Sequence, residues 1–198
     1  MRVRVSAMSG AGPGPLTEGM TENRTENRTA RNATGWVLGA ATVATGLIAG
    51  AFYVFACAVL PGLARSDDRV FVEVMRNIND VIQNPVFFLG FMGAPALSAV
   101  SAWQARGRPY RGWVWAGLAA YALAFLVTVA FNIPLNDDLA RTADVGVARE
   151  RFEDAWVGWN VVRAVLSTVA VGCLGRGLML YGAYRHRSVQ VSPPRPTP

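Results

Sequence analysis

Apolar residues along this chain are gathered into long blocks instead of recurring at helical or strand intervals. Residues 32–64, 81–105 and 112–136 contain no acidic or basic side chain. Each block exceeds the ~20 helical residues needed to cross a hydrocarbon layer of ~30 Å. A fourth apolar block, residues 155–184, is interrupted only by Arg163 and Arg176. Helices of a soluble bundle need polar outer faces, and these blocks offer none. The pattern therefore predicts an all-α, integral membrane four-helix bundle over residues 35–184, with spans at about 36–60, 85–105, 112–134 and 156–182.

The segments between the blocks carry their own signals. Pro61-Gly62 is expected to stop the first span, and Ser66 to cap a further helix whose first turn holds Asp67 and Asp68, where the helix dipole favours acids. Val70, Phe71, Val74, Met75, Ile78 and Ile82 then recur at steps of three and four. This predicts an amphipathic helix between spans one and two, lying across the mouth of the bundle and ending at Asn84-Pro85. Within the first span, Gly46 and Gly50 form a small-xxx-small pair expected to admit another backbone closely. Residues 1–34 are polar, with a tandem Thr-Glu-Asn-Arg at 21–24 and 25–28, and are expected to form a disordered cytoplasmic tail. A second disordered tail is expected at 185–198, which closes on Pro-Pro-Arg-Pro-Thr-Pro.

Charge adds an orientation. All 19 basic residues are arginine, and they crowd the first 31 residues, the Arg106/Arg108/Arg111 connection, and the end carrying Arg185, Arg187 and Arg195. The connections at 61–80 and 135–154 hold ten of the 13 acids. Basic residues near span ends are retained inside, so both termini are expected in the cytoplasm and the two acidic connections outside a cell membrane. The formal charge of +6 is then a product of topology. Membrane lipid is the implied partner, a hydrophobic small molecule and further copies of the chain are compatible, and no nucleic acid is required.

Cysteine and histidine usage narrows the chemistry. Cys57 and Cys173 lie in the first and last spans, far from any Cys-x-x-Cys arrangement, and the single histidine, His186, lies in a tail. Neither a haem nor a histidine-based metal site can be assembled from that inventory, so no metal or cofactor is expected. There remains the polar residue that a membrane makes expensive. Arg163 stands inside span four, where a central arginine costs at least ~2.5 kcal/mol on insertion scales. Trp156, Asn160, Arg163 and Ser167 fall on one helical face, expected to look into the bundle. Asn132, Asn136 and Asp137 at the end of span three are expected opposite, with Pro134 loosening the backbone there. Together with Trp159, Asn79 and Asn84 these residues map to the outward half, where a ligand cavity under the amphipathic helix is predicted. The competing reading makes Arg163 and the asparagines fasteners between spans. Arg176, on the inner side, reads as an anchor that reaches the headgroups.

The same residues carry a family resemblance. Pro61-Gly62 after the first span, Ile78-Asn79-x-x-Ile82-x-Asn84-Pro85 entering the second, Asn132-Ile133-Pro134-Leu135-Asn136 closing the third and Trp156-x-x-Trp159-Asn160-x-x-Arg163 opening the fourth resemble the anthrone-oxygenase-like family of small four-span membrane proteins. The resemblance covers roughly residues 36–182. It implies a monooxygenase that oxidises an anthrone-type polycyclic aromatic with dioxygen as co-substrate and no metal or flavin. It would make Arg163, Asn160, Asn136 and Asp137 the catalytic candidates, and Trp156, Trp159, Asn132, Asn79 and Asn84 the substrate-binding ones. A non-catalytic accessory protein that binds a lipid or quinone is the alternative.

Overall fold

A computed structural model describes residues 15–190 of the chain. The described residues are helical or in short connections, with α1 at Pro15–Val54, a π-helical turn at Phe55–Val59, α2 at Leu60–Leu63, α3 at Asp68–Ile82 and α4 at Pro85–Gln104. They continue with α5 at Arg111–Val127, a second π-helical turn at Thr128–Asn132, α6 at Ile133–Arg141 and α7 at Val145–Gln190. Contacts divide the chain into residues 1–34 and 35–198. In the first unit, residues 15–34 have helical backbone where an unstructured tail was expected. No proline or glycine interrupts residues 20–34, so nothing in the local sequence breaks a helix there. Likewise α7 extends to Gln190, past the expected boundary at 185, and the proline-rich close of the chain lies outside the described residues.

Four helical segments are long and apolar enough to cross a membrane: Asn32–Leu63, Pro85–Gln104, Arg111–Arg141 and Val145–Arg187. Their outward faces are apolar too, with Leu47 69 %, Val86 81 % and Leu89 77 % exposed. Burial in the second unit is stacked in three layers. At the α3 end, Phe71, Val72 and Met75 of α3 pack with Leu60, Leu139, Phe152 and Trp156. The middle layer joins Ile48 and Phe52 of α1 to Phe91, Tyr121 and Ala164. At the other end Leu38 meets Ala102, Tyr110, Val114 and Leu174. There Arg108 donates to the Tyr184 hydroxyl at 3.1 Å, and burial pushes the Tyr110 phenol above its ordinary range, with Arg108 acting in the opposite direction.

Helices α5 and α7 pack together most extensively, and two glycines let them approach closely. A Cβ on Gly117 would lie 2.8 Å from Leu174 Cγ and 3.2 Å from the Ala170 carbonyl, and one on Gly177 would lie 2.9 Å from Val114. The Gly46/Gly50 pair has no such role, because nothing lies within 4 Å of a Cβ built at either position. Small residues allow a close approach, but a neighbour must be placed to use it.

The first span ends at Leu63, one residue past the expected Pro61-Gly62 stop, while the third continues beyond Pro134 to Arg141. Each proline follows a π-helical turn by one intervening residue. A proline has no N–H for the carbonyl four residues earlier and its ring crowds that carbonyl, so a wider turn accommodates it without stopping the helix. Leu60 N accordingly donates five residues back to Phe55 O, and Ile133 N to Thr128 O. Pro95 inside α4 leaves the Phe91 carbonyl without its usual donor, and the buried Tyr121 hydroxyl supplies one from α5 at 3.1 Å.

The amphipathic helix forms as expected, but its cap is Asp67, which accepts from Val70 N at 2.9 Å, and not Ser66. Ser66 instead presents its carbonyl to Arg149 at 2.8 Å. Arg149 also reaches the Ala64 carbonyl at 3.0 Å, Asp68 at 3.0 Å and Glu153 at 2.7 Å, with its guanidinium 4.6 Å from the Phe71 ring centroid. Arg76 adds bonds to the Leu139 carbonyl at 2.8 Å and the Thr142 carbonyl at 2.6 Å. These cross-links fasten α3 over the ends of α6 and α7.

Candidate functional site

A cavity of about 220 Å³ lies beside α3, where the two π-helical turns face α4 and α7. Its apolar walls come from Phe52 and Phe55 of the first span and from Phe87, Phe88 and Phe91 of α4. Spacing explains the second group, since positions 87, 88 and 91 share one face of a helix. Phe87 and Phe91 stack with centroids 5.6 Å apart, and Phe91 stacks on Phe125 at 5.1 Å. Polar groups enter from three directions: Asn79 and Gln83 from α3, Thr128, Asn136 and Asp137 from the third span, and Asn160 and Arg163 from α7.

The predicted inward face of α7 is buried throughout. Trp156 and Arg163 are each 5 % exposed, and Asn160 and Ser167 are fully enclosed. Asn160 is the hinge of the polar arrangement. Its Nδ2 donates across to the Phe52 carbonyl at 3.1 Å, and its Oδ1 accepts from Arg163 Nη2 at 2.9 Å. Arg163 lies over two aromatic faces, its Cζ 4.3 Å from the Phe52 ring centroid and 5.1 Å from that of Trp156. Such contacts hold a cation where water is scarce. They do not complete its hydrogen bonding, and Arg163 Nε has no partner. Among the described residues no carboxylate forms an ion pair with Arg163.

Trp156 is held as firmly as the arginine. Its Nε1 donates to Asn136 Oδ1 at 2.7 Å, tying α7 to α6, while its ring stacks on Phe152 at 5.6 Å and leans on Phe55 at 6.0 Å. Asp137 is exposed at the rim, with Arg141 Nη2 3.8 Å away. It sits inside α6. Among the described residues no three His, Cys, Asp or Glu side chains gather as metal ligands.

Six of the nine candidate residues thus meet at one cavity: Arg163, Asn160, Asn136, Asp137, Trp156 and Asn79. Three do not line it. Trp159 faces away, stacked on Phe131 with centroids 3.8 Å apart and planes 8° from parallel. Asn84 is occupied in starting α4, accepting from Phe87 N at 3.0 Å and donating to the Val81 carbonyl at 2.9 Å. Asn132 is buried in the second π-helical turn, with neither side-chain polar atom bonded. The phenylalanine walls were not anticipated from the sequence, where Phe87, Phe88 and Phe91 are indistinguishable from residues meant for lipid. Their i, i+4 spacing was the available signal.

Comparison with curated proteins and with solved structures yields no match. A family model described as Anthrone oxygenase matches residues 84–173. The matched segment contains α4, α5, α6 and the half of α7 that bears Trp156, Asn160 and Arg163, whereas Phe52 and Asn79 precede it. Over residues 84–173, this chain is similar to the anthrone oxygenase family, the family that its motifs resemble.

Proposed function

We propose that the chain is a membrane-embedded monooxygenase in which the α3-end cavity binds a flat polycyclic aromatic of anthrone type and promotes its oxidation by dioxygen. The observation that carries this reading is the aromatic-walled cavity with a single buried guanidinium and amide groups beside it. Four apolar helices with apolar outer faces support insertion in the cell membrane. The arginine distribution supports both termini in the cytoplasm, with the cavity in the outward half.

The reaction balances without a further reductant. An anthrone loses one proton from its methylene carbon, and the resulting carbanion is delocalised onto the carbonyl oxygen. Its reaction with dioxygen forms a carbon–oxygen bond and, after protonation, a hydroperoxide. Loss of the second methylene proton and cleavage of the O–O bond yield the quinone carbonyl and one water. Arg163 would stabilise the oxyanion, Asn160 would hold Arg163 in place, and Asn136 would hold the Trp156 ring as a wall for the polycycle. Dioxygen is the co-substrate, and no resident cofactor takes part in this proposal.

A second reading has one observation in its favour. Among the described residues, Asp137 is the only carboxylate on the cavity wall and it is exposed, leaving no buried general base there. A binding protein for an aromatic lipid or quinone would need none. Both are tested by giving an anthrone and ¹⁸O₂ to membranes containing the intact protein, Arg163→Gln or neither. The oxygenase reading expects labelled quinone to form at least ~10-fold faster with the intact protein than with either control, corresponding to about 1.4 kcal/mol of barrier. Equal rates in all three would sink the oxygenase reading.

A further inference from the structure

The cavity presents a buried positive charge without a negative one. Arg163 is 5 % exposed, its guanidinium lies over the Phe52 and Trp156 rings, and its Nη2 donates to Asn160 Oδ1. Its Nε–H has no acceptor. Of the elements around the cavity, α1 contributes Ala51 and Phe52, the first π-helical turn Phe55, α3 Asn79 and Ile82 with Gln83 at its end, and α4 Phe87, Phe88 and Phe91, none of them charged. The third span brings Asp137, exposed at the rim beside Arg141, and α7 brings Arg163 itself. A desolvated cation with no counter-ion is costly, and a neutral carbonyl ligand would satisfy one N–H while leaving the charge uncompensated.

We propose that this cavity takes its ligand as an anion: an aromatic phenolate or enolate whose oxygen accepts in the plane of the Arg163 guanidinium while its rings lie against the phenylalanine walls. The inference rests on the aromatic-pocket reading and narrows it. Neutral quinones and neutral lipids are poor ligands, and an acidic hydroxyl or enolisable ketone is the recognised group. Binding shifts the ligand's ionisation, releasing the phenolic or enolic proton to water, so the ligand is already an anion before any reaction with dioxygen. That offsets the lack of a buried base, because the proton leaves to solvent as the ligand seats. The arrangement is specific to a guanidinium, since a lysine ammonium has neither the flat faces for Phe52 and Trp156 nor the in-plane fork.

The test uses a dihydroxyanthraquinone dye, whose visible absorption band moves when it loses its phenolic proton, with the full-length protein in neutral detergent micelles. Binding is read independently by quenching of tryptophan fluorescence. The expected result is an ionisation midpoint lowered by about one pH unit or more relative to dye in empty micelles, equivalent to a tenfold preference for the anion. Arg163→Gln should bind dye with the midpoint returned to the micelle value. Asn160→Asp, which supplies a carboxylate to Arg163 while keeping the guanidinium, should abolish the shift as well; its thermal transition reports that it is folded. Quenching without a midpoint shift in the intact protein, or an equal shift in Arg163→Gln, would overturn the anion proposal and leave the aromatic pocket standing. Absence of quenching by the dye would overturn both.

Discussion

Asn160 is the residue on which the polar interior turns, and its removal has a calculable effect. Replacing it by alanine deletes the charge-assisted bond from Arg163 Nη2 and the bond to the Phe52 carbonyl. A hydrogen bond to a buried charge contributes about 1.5–3 kcal/mol and a neutral one about 0.5–1.5 kcal/mol, so Asn160→Ala should destabilise by about 2–4 kcal/mol. Arg163→Met removes a buried charge that has no carboxylate, and should be within about 1 kcal/mol of the parent or more stable. The decisive quantity is their coupling. In the Arg163→Met background Asn160 retains only the Phe52 bond, so Asn160→Ala should cost about 1 kcal/mol there. The coupling is then about 1.5–3 kcal/mol, readable from reversible unfolding of the four proteins in mixed micelles followed by tryptophan fluorescence. Additivity to within about 0.5 kcal/mol would refute the Asn160–Arg163 linkage as an energetic unit.

Two further outcomes test how the helices are held. Tyr121→Phe should destabilise by about 1–3 kcal/mol because the Phe91 carbonyl loses its donor. Restoring a backbone N–H with Pro95→Ala should reduce that loss to below about 1 kcal/mol, a rescue measurable in the same unfolding assay. Gly117→Ala should lower stability by about 1–3 kcal/mol, since its Cβ would meet Leu174 and the Ala170 carbonyl. Gly46→Ala, with open space at its Cβ, should be neutral or stabilising by up to about 1 kcal/mol. Comparable losses at both glycines would contradict the packing described.

Much of the helical framework was legible because the information lies in one-dimensional patterns. Three blocks without charge and a fourth broken only by Arg163 and Arg176 locate the four apolar helices, and the three-and-four spacing of Phe71, Met75 and Ile78 locates α3 and the face it buries. The inward face of α7 was also readable, since Trp156, Asn160, Arg163 and Ser167 share a helical stripe that a membrane helix has reason to turn away from lipid. Boundaries were legible in part: the first span ends at Leu63, beside the expected Pro61-Gly62 stop, whereas the third runs on past Pro134 to Arg141, with a π-helical turn just before the proline. The α3 cap is Asp67 and not Ser66, and the Ser66 carbonyl accepts from Arg149, 83 positions away in sequence.

By itself, the sequence determined that the chain forms long apolar helices, that its charges are distributed unequally between their ends, and that one arginine has to be enclosed. These are consequences of composition and periodicity, which act along a single helix. Which residues enclose that arginine was decided only by the tertiary structure. Trp159 lies three residues from Trp156 and has similar chemistry, yet it stacks outward on Phe131 while Trp156 closes over Arg163. Phe52 supplies both a ring to Arg163 and a carbonyl to Asn160 from 108 residues away. The physical reason is that in an apolar helix every face looks equally suited to burial. The choice among faces is made by the neighbours that dock there, and Gly117, Gly177 and the two proline-associated π-helical turns set where those neighbours come to rest.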